Sequence, residues 1–76
     1  MQAYVFIQVA PGKSTQVAGR LGAIEGVQAA HICWGLPDVI VLVEVPDLKS
    51  LQEFVVDKIQ AVPGVNQTDT HIVWKP

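Results

Sequence analysis

Apolar runs separated by polar and turn-forming residues predict four strands. Runs of β-branched, aromatic and aliphatic residues that are bounded by Gly, Pro or Asp are typical of strands. They are Ala3–Ala10, Val27–Trp34, Val39–Val45 and Asn66–Trp74. In the third run only Glu44 is charged, and the run follows the turn Gly35–Asp38. A strand that is apolar on both sides requires cover on both sides.

Two other stretches have helical periodicity. Lys13–Ile24 places Val17, Leu21 and Ile24 on one face, and Gly26 is expected to end this helix. The second helix is predicted over Leu48–Ala61, after Asp47 as N-cap and before Pro63-Gly64. Its apolar stripe is predicted to contain Leu48, Leu51, Val55, Ile59 and Val62.

The order β-α-β-β-α-β repeats internally. Ile24-Glu-Gly-Val27 matches Val62-Pro-Gly-Val65, and His31-Ile-Cys-Trp34 matches His71-Ile-Val-Trp74. This is the ferredoxin-like pattern, an α+β fold. Right-handed crossovers give an antiparallel sheet of order 4-1-3-2 with both helices on one face. The other sheet face is expected to be bare.

The bare face predicts self-association. Tyr4 and Phe6 alternate with apolar neighbours in the first strand, and the third strand is apolar in both parities. A monomer would therefore expose a large apolar face, and such faces mark interaction sites. A homodimer that packs one open sheet face on another is the simplest arrangement.

Composition narrows the class of protein. The chain has 76 residues, half of them hydrophobic, which indicates a single folded domain (1–76) rather than a disordered segment. Its five basic residues are scattered and its net charge is −2, so direct nucleic-acid binding is not expected. The sequence suggests no membrane span or signal peptide, and one cysteine excludes an internal disulfide. A cytoplasmic setting is expected.

Several motifs occur together in a recognisable order. They are Ile24-Glu-Gly-Val27, Gly35-x-x-Asp38 before a Val/Ile/Leu run, Ile59-x-x-x-Pro-Gly-Val65, and Thr68-Asp-Thr70-x-Ile-Val. Together they resemble the effector-binding domain, also called the RAM domain, of the Lrp/AsnC (feast/famine) transcription regulators. The resemblance covers essentially the whole chain. Those regulators carry an N-terminal helix-turn-helix, so this chain looks like a stand-alone, ACT-like version of the domain.

The resemblance implies a homodimer through the sheet face, assembly of dimers into rings, and an amino-acid effector bound between subunits. It places the effector at the loop residues Gly35, Leu36 and Asp38 and at the polar strand-four residues Thr68 and Thr70. No cofactor or catalytic residue is implied. Asp38 has a second possible role as a turn cap, because Asp commonly caps turns. Thr68 and Thr70 can also be ordinary strand residues, because Thr is common in strands.

Other reactive side chains have simpler explanations. His31 and His71 fall on opposite edge strands, about 14 Å apart at three strand spacings, so one chain cannot place both on one metal ion. No metal site is predicted. Cys33 has no basic neighbour and is expected to be inert, and Trp34 and Trp74 are expected to anchor the core or an interface.

Three functions remain open. The first is an oligomeric amino-acid sensor related to the Lrp/AsnC regulators. The second is a structural partner that co-assembles with full-length regulators. The third is a small dimeric ferredoxin-like enzyme, which a cavity between sheet and helices lined by His31 or His71 would favour.

Overall fold

A computed structural model describes residues 1–74 and contains one four-stranded antiparallel sheet covered by helices. The strands are β1 (Gln2–Val9), β2 (Val27–Ile32), β3 (Val39–Glu44) and β4 (Val65–Ile72). The helices are α1 (Ser14–Gly22) and α2 (Leu48–Phe54), and a π-helical turn over Val55–Ile59 continues α2. The predicted element order is therefore confirmed.

The sheet order is β2-β3-β1-β4, which is the predicted 4-1-3-2 order. β1 lies in the centre and pairs antiparallel with both β3 and β4. Ile7 pairs with Val39 on one side and with Thr68 on the other. The end of β1 and the starts of β3 and β4 consequently meet at one end of the sheet.

The core lies between the sheet and the helices. One parity of the two central strands is fully buried, namely Ala3, Val5, Ile7, Val39, Val41 and Val43. Val17 and Leu21 of α1 cover these residues together with Leu51 and Ile59. Both strand parities are apolar in sequence, and the helices cover only one of them.

The second helix differs from the prediction in two ways. It changes to π geometry at Val55 and ends near Ile59, where the N–H of Gln60 donates to the carbonyl of Val55. Leu48 was predicted to join the apolar stripe but is about half exposed at the first turn. Asp47 caps the helix as predicted, accepting a hydrogen bond from the Ser50 N–H at 2.8 Å. This hydrogen bond lowers the pKa of the Asp47 carboxyl.

The first helix ends earlier than Gly26. Its C-cap is Ala23, and Gly26 lies in the following turn with a φ of +99°. The Gly26 carbonyl accepts a hydrogen bond from the Glu44 N–H at 3.0 Å. Gly26 therefore joins the start of β2 to the end of β3 and does not cap α1.

Gly64 is expected to be the most sensitive glycine of the fold. Its φ is +101°, and a Cβ atom placed there would lie 2.9 Å from Val17 Cγ2, against the buried face of α1. A left-handed conformation costs an L-residue about 1–2 kcal/mol, and the displaced helix adds to this. We expect Gly64→Ala to lower the free energy of unfolding by about 2–4 kcal/mol in urea titrations.

Gly12→Ala is the matched control for Gly64→Ala. Gly12 also has a positive φ, +77°, but a Cβ atom there would have nothing within 4 Å. Only the backbone penalty applies, so the expected loss is about 1–2 kcal/mol. Equal losses for the two variants at one protein concentration would show that the contact with α1 is unimportant.

Candidate functional site

The loop between β2 and β3, residues 33–38, is fastened to the end of β1. The Cys33 N–H donates to the Asp38 carbonyl at 2.8 Å, and the Asp38 N–H donates to the Ile7 carbonyl at 3.0 Å. The Asp38 carboxylate accepts a hydrogen bond from the Val9 N–H at 2.9 Å through Oδ2. Asp38 therefore caps the turn, as its position allowed. We call residues 33–38 the Trp34 loop.

The tip of the Trp34 loop exposes large apolar side chains. Trp34 is fully exposed, and Leu36 is 77% exposed. Gly35 has a φ of +102°, a backbone conformation that favours glycine. The peptide bond between Leu36 and Pro37 is cis. An aromatic side chain without any cover is a feature that usually belongs to an interface.

A recess lies beneath this loop on the open face of the sheet. It has a volume of about 320 Å³ and is lined by Phe6, Gln8, Leu36, Pro37, Gln67, Thr68 and Asp69. Small-molecule sites usually have volumes from about 300 Å³ upward, so the recess suits a small ligand. The loop residue Leu36 and the strand residue Thr68 of the sequence prediction both line it.

Thr68 and Thr70 point mainly to the other side of the sheet. They pair with Ile7 and Val5, whose side chains are buried under the helices. Thr68 Oγ1 accepts a hydrogen bond from Gln60 Nε2 at 2.9 Å. The backbones of Thr68 and the start of β3 lie two strand spacings apart, about 10 Å. One chain therefore does not bring the Asp38 carboxylate and the two threonine hydroxyls to one point.

The open sheet face has an apolar centre and a polar margin. Tyr4, Phe6, Ile40 and Leu42 occupy its centre on β1 and β3. The margins on the edge strands carry His31 on β2, and Gln67, Asp69 and His71 on β4. An apolar centre surrounded by polar groups is the usual composition of a protein interface.

Asp69 and His71 of this margin form a pair that the sequence did not predict. His71 Nε2 lies 3.0 Å from Asp69 Oδ2, and the His71 ring lies 4.7 Å from the Phe6 ring. The spacing i, i+2 places Asp69 and His71 on the same strand face, which was the available signal. Asp69 also lines the recess, so it is a second carboxylate near the loop.

The remaining reactive residues lie apart. His31 and His71 are on the opposite edge strands, as predicted, and Cys33 is a free thiol in the loop. Across residues 1–74, no three His, Cys, Asp or Glu side chains are grouped closely enough to hold a metal ion. None of the helices in that range is long and apolar enough to cross a membrane.

Comparison with known proteins identifies relatives over the whole chain. Residues 2–76 match the family model of the Lrp/AsnC ligand binding domain. An uncharacterized HTH-type transcriptional regulator of Pyrococcus furiosus is 32% identical over 71 residues, which cover 93% of this chain and 48% of that protein. The chain thus spans about half the length of the curated relatives it matches.

Solved structures share the fold. A hypothetical protein of Pyrococcus horikoshii, PHS023, is 33% identical with a TM-score of 0.89, and the match covers 99% of this chain and 90% of that one. A transcriptional regulator of Neisseria meningitidis in complex with L-Met has a TM-score of 0.86 at 18% identity, over 97% of this chain and 49% of that one. The family match over residues 2–76 shows that the chain belongs to the Lrp/AsnC family, as its ligand-binding domain.

Proposed function

We propose that this chain is an oligomeric amino-acid sensor that binds its effector in the recess beneath the Trp34 loop. The observation that supports this most is the recess of about 320 Å³ formed by that loop and the start of β4 in a chain of this family. The regulator from Neisseria meningitidis, which has the same fold, was solved with L-Met bound. In this proposal, the chain regulates transcription in the cytoplasm together with full-length regulators of the family.

The chemistry of the recess suits a zwitterion. Asp69 lines the recess, and Asp38 follows the lining residue Pro37 in the loop. Both can accept hydrogen bonds from an ammonium group, since a carboxylate has acceptor sites on both oxygens. Of the Asp38 oxygens, Oδ2 accepts from the Val9 N–H, and Oδ1 can accept from the ligand. The amide side chains of Gln8 and Gln67, together with backbone N–H groups around Gly35, can donate to the ligand carboxylate.

A neighbouring subunit completes the site in this proposal. Thr68 and Thr70 present their hydroxyls on the helix side of β4, whereas the recess opens on the other side. Thr68 lines the recess of its own chain, but the two hydroxyls can contact a ligand held by the Trp34 loop only if that loop belongs to another copy. The apolar open face and the exposed loop both favour an assembly of at least two chains.

The geometry favours sensing over the alternatives. His31 and His71 lie on the open face, whereas the enzyme alternative places one of them in a cavity between sheet and helices. The relatives matched by sequence are described as transcriptional regulators. A partner without a ligand would need no recess, so the sensor is the function that the geometry supports best.

A thermal-shift screen of the twenty amino acids, beginning with L-Met, tests the proposal. At a free concentration 100 times Kd, a ligand stabilises the folded state by about 2.7 kcal/mol. For a domain of this size we expect Tm to rise by about 10 °C or more. If no amino acid raises Tm at millimolar concentration, the ligand-free structural partner replaces the sensor.

Two analogues of the best ligand separate its two charged ends. The amide of that amino acid lacks the carboxylate, and the corresponding deaminated acid lacks the ammonium group. Because the recess has donors and acceptors for both ends, we expect each analogue to lose most of the Tm shift. If the deaminated acid keeps the Tm shift, the carboxylates of Asp38 and Asp69 do not contribute to binding.

A further inference from the structure

Asp69 and His71 place two metal-ligating atoms side by side on the open face of β4. His71 Nε2 lies 3.0 Å from Asp69 Oδ2. A metal ion with bonds of about 2.1 Å and ligand angles of about 90–109° separates neighbouring ligand atoms by about 3.0–3.4 Å. The two atoms therefore have nearly the spacing of adjacent ligands on one Zn²⁺ ion, and binding requires only small movements of the side chains.

The surroundings of the pair orient it and leave it accessible. The Phe6 ring lies 4.7 Å from the His71 ring and limits the positions that the imidazole can take. Both ligand side chains are more than half exposed. An ion can therefore reach Nε2 and Oδ2 from the open face without displacing any part of the core.

One chain provides only half of a zinc site. Within residues 1–74, no third His, Cys, Asp or Glu side chain joins Asp69 and His71 in a group that could hold an ion. Structural zinc sites almost always have four protein ligands. An isologous contact presents the same residues twice, so a second copy of the chain supplies the missing two. This step rests on the oligomer of the proposed function, assembled through the open face.

The apolar centre of the open face determines which residues meet in such a dimer. Its central residues form two neighbouring rows across β1 and β3, namely Tyr4 with Leu42 and Phe6 with Ile40. Burial is greatest when the two-fold axis passes over the middle of these rows. His71 continues the first row on β4, and Asp69 continues the second. An axis that runs across the strands therefore passes midway between Asp69 and His71.

This axis brings the two pairs together at one point. It places β4 over β4 of the second copy with the rows exchanged, so that Asp69 faces the second copy's His71. Sheets packed face to face lie about 10 Å apart, so each chain spans about 5 Å to the midplane. An aspartate or histidine side chain and a metal bond of about 2 Å cover that distance. Four ligand side chains consequently surround one point on the axis.

We propose that the Asp69–His71 pairs of two copies bind one Zn²⁺ ion on the two-fold axis of the open-face dimer. Two imidazoles and two carboxylates are nitrogen and oxygen ligands that Zn²⁺ accepts. The ion also solves an electrostatic problem of the dimer. Without it, two Asp69 carboxylates approach each other as the open faces close, and like charges at short range repel. One divalent cation neutralises both.

The ion links zinc supply to assembly. A ligand that binds only the dimer stabilises the dimer by mass action. At a free Zn²⁺ concentration 100 times its Kd, the dissociation constant of the dimer should fall about 100-fold. The ion is structural, and the amino-acid effector is not needed for its binding.

Zinc titration of chelator-treated protein without an affinity tag tests the site. Calorimetry should give one Zn²⁺ ion per two chains. Sedimentation equilibrium of the 8.2 kDa chain should show tighter dimers with Zn²⁺ than with EDTA, by the factor given above. Co²⁺ in place of Zn²⁺ should give the visible absorption of a tetrahedral site.

Two ligand variants and one matched control locate the ion. Asp69→Asn and His71→Gln keep the size of each side chain at exposed positions and remove one ligand from each copy. Each should weaken Zn²⁺ binding by at least about 10-fold and abolish the effect of zinc on the dimer. His31→Gln alters the other histidine of the open face, on the opposite edge strand β2, and should bind Zn²⁺ like the parent.

Three results would overturn this site. The first is a parent that binds no Zn²⁺ at micromolar concentration, or whose dimer is equally strong in EDTA. The second is unchanged Zn²⁺ affinity in both ligand variants. The third is one ion per chain with loss of binding in His31→Gln, which would place β2 of one copy over β4 of the other.

The zinc site and the proposed function fail separately. Zinc titrations contain no amino acid, and the thermal-shift screen can be repeated in EDTA. Zinc-dependent dimers that bind no amino acid would remove the sensor and leave the zinc site. Amino-acid binding by a protein that ignores Zn²⁺ would do the reverse.

Discussion

Leu42→Asp is expected to dissociate the two-fold assembly of this protein. Leu42 lies on β3 at the centre of the open face, opposite Tyr4 of β1 and Ala29 of β2. In a dimer that packs two open faces together, the substitution buries two unpaired carboxylates. An uncompensated buried charge costs roughly 3–5 kcal/mol, which weakens association by a factor on the order of 10²–10³ or more. Light scattering at micromolar concentration should then give monomers or, since the face is exposed, aggregates.

Gln16→Asp is the control for Leu42→Asp, because it adds the same charge on the exposed side of α1. It should leave the mass unchanged, whereas Leu42→Asp should break the dimer. A Leu42→Asp protein that stays dimeric, or a parent that is an 8.2 kDa particle, would show that the open face is not the interface.

Asp38→Asn is expected to remove amino-acid binding while preserving the loop. The asparagine side-chain carbonyl can accept the hydrogen bond that the Val9 N–H now donates to Oδ2 at 2.9 Å. The variant therefore keeps the connection between loop and β1, and it lacks only the charge. Loss of the partner of a bound ammonium group costs roughly 2–5 kcal/mol, so calorimetry should show a Kd weaker by about 30-fold to several thousand-fold.

Asp69→Asn is the matched control, because Asp69 is the carboxylate that lines the recess, whereas Asp38 lies in the adjoining loop. We expect it to weaken binding less than Asp38→Asn, since Asp69 already lies 3.0 Å from the His71 ring. If Asp69→Asn raises Kd more than Asp38→Asn does, Asp69 is the residue that binds the ammonium group. Asp38→Asn binding as tightly as the parent, with the dimer intact, would remove Asp38 from the site.

The sequence determined the fold because its signals are local. The apolar strand runs, the period of 3.6 in the helices and the internal repeat gave the element order, and right-handed crossovers then gave the sheet order. The all-apolar β3 run was also enough to predict a bare face, since helices can cover only one side of a sheet. The helix boundaries differ from the prediction by a few residues, because the π turn after α2 and the early end of α1 depend on packing.

The tertiary structure decided how the candidate site is arranged. Asp38 bonds Val9 across 29 residues of sequence, a contact that depends on strand register and left no local signal. Both parities of β4 are polar, with Gln67, Asp69 and His71 on one side, so the pattern could not say that Thr68 and Thr70 face the helices. Leu48 fits the helical stripe, yet it is about half exposed at a groove between α2 and β4. These features depend on where distant segments meet, and only the folded chain fixes that.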